Sequence, residues 1–292
     1  MTKRTQSLAF AFLFVLSAVL WWHSLTLTLR LALDNEPYTH ILLIVPLSAA
    51  LLYLQWSTLP KALESSPTAG SLLLAGALVV VGVARWGATG LPGDLRLSAG
   101  MLALVTWWLG TVVFCFGLRA FRSLLFPLCF LFWMVPIPAA ALNWIILFLQ
   151  SESTLVAQLL FRMAGVPVTR DGFTLDIPGL SLEVARECSS IRSTMVLIVM
   201  TMVLAHLFLR SWTRKALLIA LAIPLSVLKN GLRIFVIAEL ATRVDPGFLE
   251  GRLHHHGGPV FLALAVAIVI ALVWILRRTE TAPLRSQSVE LS

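Results

Sequence analysis

The sequence predicts an all-α polytopic membrane protein of about eight transmembrane helices, with a small extracytoplasmic β-hairpin segment near residues 166–186. Three observations predict it. Apolar residues make up 59% of the 292 residues and charged residues only 12%, against about 25% charged in soluble domains. The mean hydropathy is +0.90. The apolar runs repeatedly reach the roughly 20 residues that a helix needs to cross a bilayer.

The elements follow in order. Spans are expected near 7–27, 39–56, 70–88, 98–118, 123–143, 189–209, 216–241 and 259–276. The first run follows Lys3 and Arg4 without a small-residue cleavage site, so it reads as a retained span rather than a signal peptide. Basic residues then set the sidedness. Lys3 and Arg4, Lys61, Arg119 and Arg122, Arg210, Arg214 and Lys215, and Arg277 and Arg278 mark alternate loops and both termini. The positive-inside rule places all of them in the cytoplasm when eight spans are drawn. The net charge of +8 is thus a topology signal; neither charge nor motif points to nucleic acid, and the expected surroundings are the lipid bilayer.

Residues 144–163 are apolar but carry Gln150, Glu152, Gln158 and Arg162. Crossing there would invert the charge rule for every later loop. The segment is therefore read as a helix lying at the outer surface, or entering and leaving by the same face. Strand character follows it. Val166 to Leu175 is split by Asp171-Gly172, a favoured hairpin turn. Leu175 to Val184 is split by Pro178-Gly179, which suits a type II turn. Leu180-Ser181-Leu182-Glu183-Val184 alternates apolar and polar residues. Residues 1–278 are expected to form a single integral membrane domain, and 279–292 a polar cytoplasmic tail.

The β segment leads into Val184-Ala185-Arg186-Glu187-Cys188-Ser189-Ser190-Ile191-Arg192-Ser193. A thiol at a helix start, at the positive end of the helix dipole and beside arginines, is biased toward the nucleophilic thiolate. Arg192 follows Cys188 by four residues, so the two share a helix face; it either supports the thiolate or binds lipid phosphate. Cys115 and Cys129 lie within apolar spans, where small buried thiols are usually inert. Arg233 lies in the outer half of span seven, where an arginine costs about +2.5 to +3.5 kcal/mol at the span centre and marks a functional site by default. Lys229 and Asn230 precede it and make that stretch unusually polar. His254, His255 and His256 occupy the next outer loop. Three imidazoles suit zinc, but adjacent residues seldom converge on one ion, so a single catalytic histidine is the preferred reading. The charge rule places Cys188, Arg233 and the histidines on one face of the membrane.

These residues resemble the exosortase/archaeosortase family of membrane cysteine transpeptidases, in order from about Tyr38 to Phe261. Tyr38-Thr39-His40 resembles the family's early loop, and Met134-Val135-Pro136-Ile137-Pro138 its apolar Pro-x-Pro element. Ala185 to Ser193 resembles the nucleophile motif, usually Ala-Cys-Ser-Gly-Ile-Arg-Ser; here Glu187 replaces the alanine and Ser190 the glycine. Asn230-Gly231-Leu232-Arg233 resembles the Asn-x-x-Arg motif. The family's histidine stands four residues before a glycine, which selects His254 ahead of Gly258 and leaves His255 as the alternative. The resemblance implies a transpeptidase in a bacterial inner membrane or similar membrane. Both termini would be cytoplasmic and the active site extracytoplasmic. Cys188 would be the nucleophile, Arg233 the oxyanion donor and His254 the acid–base, with Arg192, Asn230 and His255 as supporting or alternative residues. No metal or organic cofactor is required. The implied partners are exported proteins ending in a short motif, one membrane helix and a basic cluster. Two alternatives stay open: a purely hydrolytic membrane cysteine protease, and a transporter or lipid-binding component, for which Cys188 has no reason to be a thiol.

Overall fold

The computed structural model describes residues 3–59, 64–84, 91–186, 190–245, 247 and 258–281. The chain is an all-α polytopic membrane protein with one small antiparallel sheet. Among the described residues, six helices are long and apolar enough to cross a membrane, or seven if a bent pair counts as one span. The chain divides into two compact units, Met1–Leu142 and Asn143–Ser292.

The first unit holds α1 (Lys3–Leu20), α2 (Trp22–Asp34), α3 (Ile41–Leu54), α4 (Pro67–Gly82), α5 (Gly93–Ser123) and α6 (Leu125–Phe130). The expected first span is bent by 69° between α1 and α2. No proline or glycine stands at the bend. Trp21 does, fully buried with its ring 5.5 Å from that of Trp107. Pro67 starts α4, where its missing N–H costs nothing. α4 and α5 approach closely because glycines line the crossing. A Cβ on Gly70 would lie 2.4 Å from the Phe114 Cα, and one on Gly110 would lie 3.1 Å from the Leu74 nitrogen. Gly117, at φ 82°, breaks α5 where the Glu64 carbonyl presses against it.

The expected span over 123–143 does not form one helix. After α6 and a 3₁₀ turn over Leu131–Met134, the backbone runs extended to Pro138. Pro136 and Pro138 supply no N–H and push their predecessors out of the helical region. The exposed carbonyls are satisfied from elsewhere in the unit. The Tyr38 hydroxyl donates to Ile137 O (2.9 Å), and the Ser98 hydroxyl to Pro136 O (2.7 Å). Asp94 accepts from the Ala139 N–H at 2.7 Å. His40, which is buried, accompanies them, with Nδ1 3.1 Å from Pro37 O and its ring edge-on to Trp133. The two segments singled out in the sequence at 38–40 and 134–138 thus meet.

A single continuous helix, α7 (Ala139–Met163), contains the segment read as surface-lying. It is itself long and apolar enough to cross a membrane. Within the second unit it lies along the sheet. The Arg186 guanidinium donates to Asn143 Oδ1 (2.6 Å), the Gln150 amide donates to Val184 O, and Phe161 packs on Leu175 and Ile234.

Strands β1 (Thr169–Asp171), β2 (Thr174–Ile177) and β3 (Leu180–Glu183) form a meander in that order. Turns occur at both expected places, the first shifted by one residue. Asp171 belongs to β1 and pairs with Thr174, so Gly172-Phe173 rather than Asp171-Gly172 form the turn, and Gly172 takes φ 58° at the first central position. Ile177 pairs with Leu180 across Pro178-Gly179, with Gly179 at φ 85°, the positive angle that a type II turn places after proline.

Three helices complete the unit: α8 (Ile191–Phe208), α9 (Trp212–Arg243) and α10 (Gly258–Thr281). α8 and α9 are joined by a short link and run antiparallel. Leu197, Ala205 and Leu209 pack with Leu218 and with Ala265, Val269 and Val273 of α10. Glu280, near the end of α10, accepts from the Arg210 and Ser211 N–H groups at 3.0 and 2.9 Å and pairs with Arg214 at 3.8 Å. The C-terminal ends of α8 and α10 therefore coincide. Leu264, Ile268, Ile270 and Trp274 stay exposed on α10, the apolar outer surface of a helix that meets lipid.

Candidate functional site

At the start of α8 the sequence runs Ser190-Ile191-Arg192-Ser193-Thr194, placing three hydroxyls at positions i, i+3 and i+4. On α9, Ser226, Lys229, Asn230 and Arg233 stand at i, i+3, i+4 and i+7, one face of a helix. The two faces meet. Ser190 Oγ donates to Asn230 Oδ1 (2.6 Å) and accepts from Arg233 Nη1 (3.1 Å). The Lys229 ammonium donates to the Ser193 hydroxyl. The Thr194 and Ser226 hydroxyls are 2.5 Å apart. The Ser193 and Thr194 hydroxyls also turn back onto Ser190 O, each at 3.0 Å.

This ladder sits inside the unit. Ser226, Lys229 and Asn230 are buried, as is Thr194. Polar groups removed from water cost several kcal/mol unless bonded, so helix pairing and hydrogen bonding depend on each other here. Lys229 and Arg233 place two cations four residues apart on one face. Like charges so placed disfavour the helix, and the arrangement favours an anion or a developing negative charge beside it.

Ser190 is the N-cap of α8 and has φ 55° and ψ 28°. The left-handed region costs a residue with a side chain about 1 kcal/mol or more. That requirement gives a physical reason for glycine at this position in the motif that the segment resembles. Here the serine's two side-chain hydrogen bonds offset the strain. Ser190→Ala keeps the strain and loses both bonds, whereas Ser190→Gly loses the bonds and the strain together. Thermal unfolding in detergent is expected to rank alanine below glycine by about 1 kcal/mol. An alanine variant as stable as the glycine variant would mean that Ser190 is not held in the left-handed region.

α7 aims the α9 face. A Cβ on Gly231 would lie 2.6 Å from the Val156 Cβ and 3.1 Å from Ser153 O, so the glycine of Asn230-Gly231-Leu232-Arg233 lets the two helices touch. Asn230 and Arg233 then line a small pocket, partly open to the outside, together with Ile234, Ile237, the β3 residues Leu182 and Glu183, and Val184 just after the strand.

Of the residues expected to act, Arg233 and Asn230 are brought together on Ser190. Arg192 is exposed and takes no part in the ladder. Cys188, His254 and His255 lie outside the described residues, as does His256. Two described residues frame them in sequence: Ser190 stands two positions after Cys188, and Gly258, the first residue of α10, four after His254. Cys115 is buried in α5 and Cys129 is exposed in α6, both in the first unit. Among the described residues no group of His, Cys, Asp or Glu side chains is arranged to hold a metal ion. The roles of Ser190, Ser193, Thr194 and Ser226 were not anticipated from the sequence. Their signal was there: hydroxyl residues at helical spacing on two apolar spans, on the faces that carry Lys229, Asn230 and Arg233.

Residues 21–271 match the family model described as Transmembrane exosortase (Exosortase_EpsH). No curated protein and no solved structure matches the chain.

Proposed function

The chain belongs to the transmembrane exosortase family, and on that premise we propose that it is a membrane-embedded cysteine transpeptidase. It cleaves the C-terminal sorting signal of exported proteins and passes the acyl group to a new acceptor. The observation that carries this reading is the ladder. Asn230 and Arg233 bond the N-cap residue of α8, and Cys188 stands two positions before that residue in the sequence.

The Cys188 thiolate attacks the scissile carbonyl carbon, forming a C–S bond and a tetrahedral oxyanion. The Arg233 guanidinium donates hydrogen bonds to that oxyanion, and Asn230 holds the guanidinium's neighbour, Ser190, in place. Collapse breaks the C–N bond, and His254 gives the leaving amine its proton. A second nucleophile, deprotonated by His254, attacks the thioester and releases Cys188. The substrates end in a short motif, one membrane helix and a basic cluster. An amine acceptor yields a transferred product and water yields a free carboxylate, so mass analysis of the product separates transfer from hydrolysis.

The reaction takes place on the extracytoplasmic face of a cytoplasmic (inner) membrane, with both termini inside. Two features support this sidedness. Arg210, Arg214 and Lys215 share one end of the second unit with Arg277 and Arg278, the cluster that the positive-inside rule assigns to the cytoplasm. α8 and α10 both end there and so start away from it, and these are the helices that Cys188 and His254 precede in the sequence. In a variant lacking Cys115 and Cys129, a membrane-impermeant maleimide is expected to label Cys188 in intact spheroplasts. Labelling confined to inverted vesicles would reverse the sidedness and remove the shared face.

A further inference from the structure

The edge strand β3 contributes Leu182 and Glu183 to the pocket that Asn230 and Arg233 line. β3 pairs with β2 alone among the described residues. Val184 N donates to Phe173 O at 3.0 Å, and antiparallel partners alternate between hydrogen-bonded and non-bonded pairs. With the register Thr174↔Glu183, Leu175↔Leu182, Asp176↔Ser181 and Ile177↔Leu180, the groups of Leu180 and Leu182 and the N–H of Val184 face β2. Those of Ser181 and Glu183 face outward. Ala185 N takes the Glu183 carbonyl at 3.1 Å. The Ser181 N–H and C=O and the Glu183 N–H are left on the outer edge, spaced at the two-residue period of an extended chain.

The two edges of the sheet are treated differently. At the β1 edge the Arg170 side chain folds over the strand end, donating from Nε to Gly172 O at 2.8 Å and from Nη2 to Ser151 Oγ at 3.2 Å. β3 carries no lysine, proline or bulge; its only edge protection is its four-residue length and the charge of Glu183. The pocket lined by Leu182, Glu183 and Val184 is also lined by Asn230, Arg233, Ile234 and Ile237. A chain laid on β3 would run beside an apolar wall with the guanidinium at one side. The strand also leads, five residues after Glu183, to Cys188.

We propose that the substrate's extended peptide next to the scissile bond docks by adding a fourth strand to the β3 edge, with alternate side chains entering the Ile234–Ile237 pocket. This inference rests on the transpeptidase reading above. Main-chain hydrogen bonds hold an added strand, and the pocket selects every second side chain. The mode places the peptide carbonyls in line for Arg233 without demanding a long side-chain motif.

The test uses an epitope-tagged exported protein from the same cell, ending in a short motif, one apolar helix and a basic cluster, co-expressed with the full chain. In a Cys188→Ala background, a photo-crosslinking residue at Ser181 or Glu183 is expected to capture this protein. One at Asp171, on the opposite edge, is expected not to. In the otherwise native chain, Glu183→Pro removes the outward N–H at an edge position that tolerates proline. Glu183→Ala measures the side chain's own share. The proline variant is expected to process about tenfold more slowly than the alanine variant, the loss of one peptide hydrogen bond. The proline arm is read on protein that extracts as a monodisperse species; where proline prevents this, the crosslinking arm decides. Crosslinks from Asp171 as strong as from Ser181, or equal rates for proline and alanine while processing still requires Cys188, would overturn strand addition and leave the reaction intact. Processing that continues without Cys188 would overturn the transpeptidase reading itself, and strand addition with it.

Discussion

Cys188→Ala is expected to abolish processing of a sorting-signal substrate while the protein still inserts and extracts normally. Loss of a covalent nucleophile costs on the order of 10⁶ in rate in a well-studied hydrolase triad. Here no thioester forms without the thiolate. Cys188→Ser tests nucleophilicity more finely, because a hydroxyl is a poor nucleophile without strong base assistance. Cys115→Ala and Cys129→Ala are expected to retain activity, since both thiols belong to the first unit and neither lies on the α8–α9 ladder. The measurement is the ratio of processed to unprocessed reporter in membranes with matched enzyme levels. Cleavage by the Cys188→Ala variant at the native rate would sink the acyl-enzyme mechanism.

Arg233→Lys is the second large effect expected, a loss of about 10²–10³ in the rate of thioester formation. Charge is kept, so insertion and the cationic character of the face are kept. What changes is geometry. A guanidinium presents a planar fork of donors, one of which, Nη1, bonds Ser190 Oγ. An ammonium is a compact point donor on a shorter reach. Lys229 one turn earlier already shows where an ammonium on this face goes: to the Ser193 hydroxyl. Arg192→Lys is expected to be much milder, because Arg192 is exposed and takes no part in the ladder. Thioester trapping with a model peptide, at equal expression, compares the two. Native rates for Arg233→Lys, or a larger loss at Arg192, would move the oxyanion role elsewhere and leave Arg233 a packing or insertion residue.

Two lengths of apolar sequence show where hydropathy misleads. The run over 123–143 contains enough apolar residues to span, and residues 144–163 carry polar ones that argued against crossing. In the structure the helix instead begins at Ala139 and absorbs the second segment whole. Composition measures the transfer of side chains into lipid. It does not register that Pro136 and Pro138 interrupt the backbone, nor that Tyr38, Ser98 and Asp94 satisfy the interrupted stretch. The bend at Trp21 has even less local signature, because it goes with the burial of an indole against Trp107, 86 positions away in the numbering.

By itself the sequence determined the membrane class, the sheet with its two turns, and an unusually polar stretch at Lys229, Asn230 and Arg233 within an apolar helix. Each of these is written in a local property: the length of an apolar run, a glycine where φ must be positive, a charge where lipid makes charge costly. Only the tertiary structure decided that Ser190 joins Asn230 to Arg233, that Ser193 receives Lys229, and that Thr194 meets Ser226. It also decided that Arg192 stays outside this group and that Leu182 and Glu183 of β3 line the same pocket as Asn230 and Arg233. Those outcomes depend on which faces of α8 and α9 pack together and on how closely Gly231 lets α7 approach. A hydroxyl in an apolar span carries no mark of its partner until a second helix brings one within hydrogen-bonding distance.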